Sequence, residues 1–244
     1  MAPVVALHGF SHTGRSWDPV AAAVPHELIA PDLRGHGSAA DARPVGPQEC
    51  VADVAAVAPE RFVAAGYSMG ARVALRLALA HPGRVEALVL IGATPGIADP
   101  VERAARARED AELADWIEAS PIEAFAERWG RNPLFKGQAE EVAEAARRDR
   151  LRNRPAGLAA ALRGLGQGAC EPLWARLGDL RIPVTLVVGE RDARYRKIAE
   201  RMAAAIPRAE LLVVPATRHA VHLEAPAIVA QALDRAATLP ARAG

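Results

Sequence analysis

A serine in a glycine-rich turn is the first feature of this chain that could do chemistry. Positions 66–70 read GYSMG, which fits the pattern G-x-S-x-G. An apolar run, Arg61–Ala65, precedes the pattern, and an apolar helical segment, Ala71–Ala80, follows it. Glycines permit a sharp strand-to-helix turn, and the helix N-terminus favours negative charge. The context therefore predicts a nucleophile elbow around Ser68 rather than a turn with an incidental serine.

A reactive serine needs a base, and the base needs a carboxylate that orients it. After the fifth apolar run comes GERD, which ends at Asp192, and after the sixth comes TRH, which ends at His219. Glu190 is an alternative acid but lies closer to the strand end. His222 is an alternative base, but its neighbours predict that it opens the last helix. We predict a triad of Ser68, Asp192 and His219, and no metal site, since His219 and His222 have no evident third ligand.

Chemistry of this kind develops an oxyanion, which needs two or more hydrogen-bond donors. The backbone N–H of Met69 follows the serine and is one candidate. The loop HGFS after the first apolar run supplies the other, for which we predict the N–H of Phe10. The later segment DLRGHGS is predicted to be a loop tied by Asp32 and Arg34, and we expect no direct catalytic role for His36.

Six short apolar runs alternate with helical segments such as Ala193–Ala205. The runs are apolar almost throughout, as in parallel strands covered on both faces. Alternation of strands with helices predicts an α/β fold with a parallel sheet. The predicted strands are Pro3–Leu7, Glu27–Ala30, Arg61–Ala65, Val85–Ile91, Pro183–Val188 and Ala209–Val214.

The alternation stops after the fourth run. Residues 99–172 contain no strand-like run, and helical periodicity appears in Val101–Ile117, Ile122–Trp129 and Ala139–Leu151. We predict a helical cap at 99–172 that lies over the C-terminal ends of the strands. The α/β core would then be formed by residues 1–98 and 173–244.

Composition excludes several classes of protein. A net charge of +1 argues against a nucleic-acid partner, and no apolar run reaches the length of a membrane span. The N-terminus lacks the features of a signal peptide, and Cys50 and Cys170 have no disulfide or zinc spacing. We therefore expect a cytoplasmic monomer or small homo-oligomer without a metal. Only Lys136 and Lys197 are lysines, so nearly all of the positive charge comes from arginine. This excess of arginine reflects the base composition of the genome, carboxylate binding by arginine, or both.

The motifs LHGF, DLRGHGS, GYSMG, GERD and RHAVHLEAP occur in the order typical of one family. The chain resembles the α/β-hydrolase family over essentially its whole length, which implies a mostly parallel sheet flanked by helices with a helical cap. Met1 lies just before the HG-loop strand, so the family's usual first two strands are expected to be missing. Two departures are visible: Ala71 and Arg218 stand where glycine is usual.

A narrower resemblance lies in the insert. TPGIADPVERAARARED, FAERWGRNPLF and RLRNRPAGLAAAL, followed by GERDARY, resemble the 2-succinyl-6-hydroxy-2,4-cyclohexadiene-1-carboxylate synthases of menaquinone biosynthesis. These are lyases on a hydrolase fold that eliminate pyruvate from a polyanionic small molecule without a cofactor. The resemblance implies substrate-binding roles for Tyr67, Arg106, Trp129 and Arg152.

Three functions follow as hypotheses. The first is pyruvate elimination, in which His219 draws the proton from Ser68 and the serine removes an acidic C–H. The second is a serine esterase or carbon–carbon bond hydrolase with the same triad, which would act on a neutral ester or ketone. The third is a non-catalytic receptor, against which the intact triad and HG loop argue.

Overall fold

The computed structural model describes residues 2–238 and contains one sheet of six parallel strands. Their order across the sheet is β2-β1-β3-β4-β5-β6. All six predicted strands are present, two of them with the predicted bounds. The strands are β1 Val4–Leu7, β2 Leu28–Ile29, β3 Phe62–Tyr67, β4 Val85–Ile91, β5 Val184–Gly189 and β6 Ala209–Val214.

The strands are apolar on both faces because each face is covered by helices. Val5 and Leu7 of β1 pack into one buried cluster, whereas Val4 and Ala6 pack into another on the opposite face. Helices α2, α3 and α8 complete the first cluster, and α1, α9 and α10 complete the second. The helices are α1 Asp18–Ala21, α2 Pro47–Val57, α3 Met69–Ala80, α4 Pro100–Glu118, α5 Ile122–Gly130, α6 Glu140–Arg150, α7 Pro155–Leu165, α8 Ala193–Ala205, α9 Val221–Glu224 and α10 Pro226–Thr238.

Two helical details differ from the prediction. α7 has no counterpart among the predicted helices, although its sequence was recognised as a motif. His222 lies in the one-turn α9 and not at the start of the last helix. The chain leaves helical geometry at Ala225, and Pro226 opens α10 as a favourable first helical residue.

The register aligns the C-terminal ends of the central strands. Leu7 of β1 is paired with Gly66 of β3, and Tyr67 is paired with Ile91 of β4. Ile91 is in turn paired with Val187 of β5. The loops after these strands therefore open onto one edge of the sheet, which is where open parallel sheets carry their sites.

Helices α4 to α7 lie between β4 and β5, within the range predicted for the cap. Three of them, α4, α5 and α7, share a buried apolar cluster of their own, which includes Ile117, Phe125 and Leu158. Phe10 of the loop after β1 packs against this cluster. The division of the chain at 98/99 and 172/173 stays a prediction.

A buried carboxylate joins the cap to the sheet. Asp149 near the end of α6 accepts hydrogen bonds from His12 Nδ1 at 2.9 Å and from the Thr13 N–H at 3.0 Å. Asn153 donates to the Ser11 carbonyl at 2.9 Å and accepts from the Gly37 N–H. The end of α6 and the loop after β1 are thereby held together.

None of the helices between residues 2 and 238 combines the length and apolar character that crossing a bilayer requires.

Candidate active site

The turn between β3 and α3 holds Ser68 in a strained backbone conformation. Its φ is 51° and its ψ is −105°, a region that residues other than glycine avoid at a cost of about 1–3 kcal/mol. The Ser68 N–H donates to the Ile91 carbonyl at 2.8 Å. A Cβ at Gly70 would lie 2.2 Å from the Leu7 carbonyl oxygen, so only glycine allows this approach. The turn has the geometry of a nucleophile elbow.

Ser68, His219 and Asp192 form one hydrogen-bonded chain. Ser68 Oγ lies 3.1 Å from His219 Nε2, and His219 Nδ1 lies 2.7 Å from Asp192 Oδ2. With the Nδ1 proton donated to the carboxylate, Nε2 is free to accept the serine proton. Asp192 caps α8, and its Oδ1 accepts from the Tyr195 N–H at 3.4 Å. The structure thus brings together the three side chains that the sequence predicted as a triad.

Aromatic rings and a glycine fix the orientation of the His219 ring. The ring of Tyr195 lies 4.2 Å away between centroids, and that of Tyr67 lies 5.3 Å away. Gly92 has a φ of 55°, and a Cβ there would lie 2.7 Å from His219 Cε1. Because a side chain at position 92 would collide with the imidazole, this site requires glycine.

Neither the alternative acid nor the alternative base takes part in this chain of hydrogen bonds. Glu190 is exposed and accepts a hydrogen bond from the Ala216 N–H at 3.0 Å. His222 is fully buried against the Tyr67 ring at 4.3 Å, and burial lowers its pKa well below the usual value. In residues 2–238 no three His, Cys, Asp or Glu side chains are grouped as metal ligands.

The two predicted oxyanion donors flank the serine. Phe10 and Met69 line the same cavity as Ser68. Within the described residues, neither backbone N–H donates to another protein group. Met69 is the first residue of α3, so the positive end of the helix dipole adds to its N–H. Both amides are therefore available for a negatively charged oxygen.

Two buried histidines shape the loop that carries Phe10. His8 Nε2 accepts from the Leu33 N–H at 2.9 Å, and His36 Nε2 accepts from the Ser11 N–H at 3.3 Å. Burial, reinforced by the neighbouring His8, lowers the pKa of His36 to about 3. His36 is thus a neutral support for the loop, in line with the expectation of no direct catalytic role.

The DLRGHGS loop is tied by the two predicted residues, though not to each other. Asp32 accepts from the Gly14 N–H at 2.8 Å and from the Ser38 N–H at 2.7 Å. Arg34 instead forms a fork with Asp53 of α2, with its Nε at 2.6 Å from Oδ2. The loop is therefore fixed to the sheet on one side and to α2 on the other.

A cavity of about 590 Å³ lies between the sheet edge and the cap. Of the residues predicted from the sequence, its lining contains Phe10, Ser68, Met69, Arg106, Trp129 and Asp192. Trp129 packs on the Phe10 ring at 5.2 Å between centroids. The serine thus opens into a cavity whose wall includes residues of the cap.

Two predicted substrate-binding residues lie outside this lining. Tyr67 is only 2% exposed and lies behind His219. Arg152 follows the end of α6, and its half-exposed side chain lies 3.8 Å from Asp149 Oδ1. Arg150, two residues earlier, is buried, and its guanidinium stacks over the Phe135 ring at 5.1 Å. The motif alone did not show which of these arginines the helix turns inward.

Sequence reasoning missed two other residues at the cavity. Arg72 lies one helical turn after Ser68, lines the cavity and donates through Nη2 to the Leu165 carbonyl of α7. Tyr195 accepts a hydrogen bond from Gln167 Nε2 at 3.2 Å. The i, i+4 spacing from Ser68 could have revealed Arg72, because such residues share one face of a helix.

Cationic side chains dominate the charged part of the lining. It contains five arginines, at positions 72, 106, 191, 194 and 218, against the carboxylates of Glu109, Asp110 and Asp192. Arg106 is paired with Asp110, Nε to Oδ1 at 2.7 Å. The cavity is therefore suited to an anionic molecule with several carboxylates.

Known proteins with related sequences match this chain over nearly its whole length. A Bacillus subtilis (strain 168) protein, provisionally named 2-succinyl-6-hydroxy-2,4-cyclohexadiene-1-carboxylate synthase, is 36% identical over 91% of this chain and 85% of its own. The synthase of that name from Enterobacter sp. (strain 638) is 32% identical over 94% of this chain and 89% of its own.

A solved structure and a family model agree with these relatives. The structure of MenH from S. aureus superposes with a TM-score of 0.90 at 27% identity, over 96% of this chain and 92% of that one. A family model described as the alpha/beta hydrolase family matches residues 4–232. This chain belongs to the α/β hydrolase family.

Proposed function

We propose that this protein is a 2-succinyl-6-hydroxy-2,4-cyclohexadiene-1-carboxylate synthase of menaquinone biosynthesis. It eliminates pyruvate from a succinylated enolpyruvyl cyclohexene carboxylate. The observation that carries the proposal is a serine triad that opens into a cavity lined by five arginines. Relatives of that name, at 36% and 32% identity over nearly the whole chain, support it.

The first step moves a proton from carbon. His219, oriented by Asp192, draws the Ser68 proton onto Nε2, which lies 3.1 Å from Oγ. Ser68 Oγ then removes the ring hydrogen on the carbon next to the succinyl carbonyl. The electron pair of that C–H bond enters the carbonyl and gives an enolate. The N–H groups of Met69 and Phe10 stabilise its oxygen.

The second step expels the leaving group. As the carbonyl reforms, the ring double bond shifts by one position and the ring C–O bond to the enolpyruvyl group breaks. Pyruvate leaves as its enolate and takes up the proton that His219 Nε2 holds, directly or through water, and a conjugated diene remains in the ring. Each step uses side chains and backbone amides of this chain, and the balance needs no oxidant, reductant or metal.

Arginines of the cap and of α3 hold the substrate for this reaction. Arg106 and Arg72 line the cavity on α4 and α3, and each can form a charge-assisted bond to a carboxylate. Trp129 packs on Phe10 and offers an apolar wall to the ring. We assign Tyr67 a positioning role, because it packs on the His219 ring and lies outside the lining.

We also propose a cytoplasmic location and a monomer or small homo-oligomer. Cys50 and Cys170 are both buried and free, which suits a reducing compartment. The expected partner is the polyanionic small-molecule substrate, and activity is expected in the cytoplasmic fraction of lysed cells.

The test follows pyruvate release. Purified protein is mixed with the succinylated enolpyruvyl-cyclohexene substrate, and a coupled dehydrogenase reports pyruvate. Release by the wild type that is lost in Ser68→Ala, but kept in the cap variant Ser120→Ala, supports the lyase. Ser120 bonds only to the Trp116 carbonyl within the described residues and controls for loss of a hydroxyl. Absence of release, together with hydrolysis of a neutral nitrophenyl ester, would replace the lyase with an esterase.

A further inference from the structure

Arg218 stands directly before the base, at a position where the resemblance predicts glycine. It is partly buried, and it lines the cavity together with Ser68 and Asp192. A side chain of this length and charge beside His219 is a feature of this chain that the triad does not need. We therefore ask whether Arg218 contacts the molecule that binds in the cavity.

Among the residues that the structure describes, no carboxylate pairs with the Arg218 guanidinium. The nearby Glu224 is occupied: its Oε2 accepts the backbone N–H of Arg218 at 2.9 Å, and its Oε1 accepts from Gln138 at 2.9 Å. Within residues 2–238 the Arg218 side chain forms no salt bridge, and its buried Nε donates to no acceptor. That Nε lies among protein atoms, so the Nη groups at the end of the side chain, which also form no hydrogen bond within residues 2–238, are the donors on the cavity side. A cation that no protein acceptor satisfies at a cavity wall favours an anionic group in that cavity.

The backbone on both sides of Arg218 fixes its position. A Cβ at Gly189 would lie 2.1 Å from the Arg218 carbonyl oxygen, which shows how closely the end of β5 packs on this residue. A Cβ at Gly137 would lie 3.7 Å from both Nε and Nη2. The guanidinium therefore rests against the segment that follows the Pro133–Phe135 turn. The turn itself contributes Leu134 to the cavity lining.

Arg218 is separate from the two arginines already assigned to the substrate. Arg72 bonds to the Leu165 carbonyl at the end of α7. Arg106 is paired with Asp110, which also accepts from the Gly168 N–H just beyond α7. These two cations thus gather around the C-terminal turn of α7, whereas Arg218 lies on the loop of the base.

We propose that Arg218 binds a carboxylate of the substrate on the base side of the cavity and thereby helps to determine specificity. This rests on the proposed function, whose substrate has three carboxylates: succinyl, ring and enolpyruvyl. The arginines at α7 can engage carboxylates at one part of the cavity, and Arg218 engages another beside the carbon that loses its proton. A neutral ester would gain nothing from this contact.

The experiment compares Arg218→Met, Arg218→Lys and Arg218→Gly with the wild type. Arg196→Met is the control, since Arg196 pairs with Glu200 outside the cavity lining and its loss changes the net charge equally. We expect Arg218→Met to raise KM for the anionic substrate about tenfold or more, with kcat changed less than about threefold. Arg218→Lys should have a KM between those of Arg218→Met and the wild type, and Arg196→Met should have the KM of the wild type.

A second readout separates substrate binding from a structural role. The rate at which a neutral organophosphonate labels Ser68 should stay within about twofold of wild type in each Arg218 variant. An unchanged KM would overturn the inference, and so would labelling slowed as much as turnover. If Arg218→Met fails to fold, the glycine variant decides. If the wild type itself releases no pyruvate, the proposed function fails and this inference falls with it.

Discussion

The sheet edge and the cap hold their functional side chains in different ways. At the sheet edge, His219 and Asp192 are both buried, and each contact in the triad is fixed by a strand end or a helix cap. In the cap, charged side chains are mostly exposed and paired, as Arg163 is with Asp115 and Glu118. This difference is what we expect if buried groups at the sheet edge carry the chemistry and partly exposed arginines around the cavity bind the substrate.

Burial decides how much each contact contributes. Exposed ion pairs such as that of Arg163 contribute about 0–1 kcal/mol, because water screens them. Removing one member of a buried pair leaves its partner unmet and costs about 3–5 kcal/mol. Substitutions of buried, hydrogen-bonded residues should therefore act on kcat or folding, whereas those of partly exposed arginines at the cavity should act on KM.

Asp192→Asn gives the largest expected effect. The amide would offer an N–H to His219 Nδ1 and favour the tautomer in which Nε2 cannot accept the serine proton. We expect kcat to fall about 10³- to 10⁴-fold with little change in KM. Glu190→Gln is the matched control, because Glu190 lies two residues away but its carboxylate accepts only from the Ala216 N–H within the described residues. Equal losses in both variants would show that the acid has been assigned wrongly.

The sheet and the triad were predictable because local signals specify them. Apolar runs covered on both faces mark the strands, and two of them have the predicted bounds. The elbow at Ser68 needs glycines at fixed positions, and chain order supplied the acid and the base. The network around Asp149 was not predictable, because it joins residues more than 130 positions apart and no local pattern encodes their distance.

Asp149→Ala should give the next largest effect, this time on folding. Burial raises the pKa of this carboxyl, but the bonds from His12 and Thr13 outweigh it and hold the pKa below its usual value. Loss of the carboxylate leaves three donors unmet, the ring N–H of His12 and the N–H and hydroxyl of Thr13, and we expect about 3 kcal/mol less stability in urea unfolding.

Asp234→Ala is the control for that substitution. Asp234 also pairs with a histidine, His26, at 2.7 Å, but its side chain is 45% exposed. We expect a loss of about 0–1 kcal/mol there. Equal losses of stability in Asp149→Ala and Asp234→Ala would show that burial does not strengthen the contacts of Asp149.

The pH dependence of stability should reveal the neutral histidines under the oxyanion loop. The folded-state pKa of His36 is about 3, lowered by burial and by His8, whereas the unfolded value is near 6.5. Above pH 7 both states are neutral at this residue and it contributes no pH dependence. As the pH falls below 6.5, the unfolded chain binds the proton first, so stability is lost. At pH 5 the loss from His36 alone is about 2 kcal/mol.

Urea unfolding at pH 7, 6 and 5 measures this effect. His36→Gln should reduce the loss of stability between pH 7 and pH 5, whatever it does to stability at pH 7. Asp32 and Asp149 also have lowered pKa values, but their loss of stability comes at lower pH, as they take up protons. The same pH slope in the variant and the wild type would mean that His36 is protonated or exposed in the folded state.

The smallest effect concerns Arg106 and Arg152, two arginines for which the sequence resemblance implies the same substrate-binding role. Arg106 lines the cavity, whereas Arg152 lies outside the lining with a half-exposed side chain. The motif could not separate them, because the phase of a helix and the point where it ends decide which side chain turns inward. We expect Arg106→Met to raise KM for pyruvate release about tenfold, equivalent to about 1.4 kcal/mol, with kcat nearly unchanged.

Arg152→Met should change KM less than about twofold, since an exposed arginine near Asp149 contributes little. Part of the Arg106 effect comes from Asp110, which would lose its partner at 2.7 Å and repel the anionic substrate. Adding Asp110→Asn removes that repulsion and should recover part of the affinity but not all of it. A double variant with wild-type KM would assign the effect to Asp110. A rise in KM for Arg152→Met as large as that for Arg106→Met would show that the cap closes further over the bound substrate than this structure does.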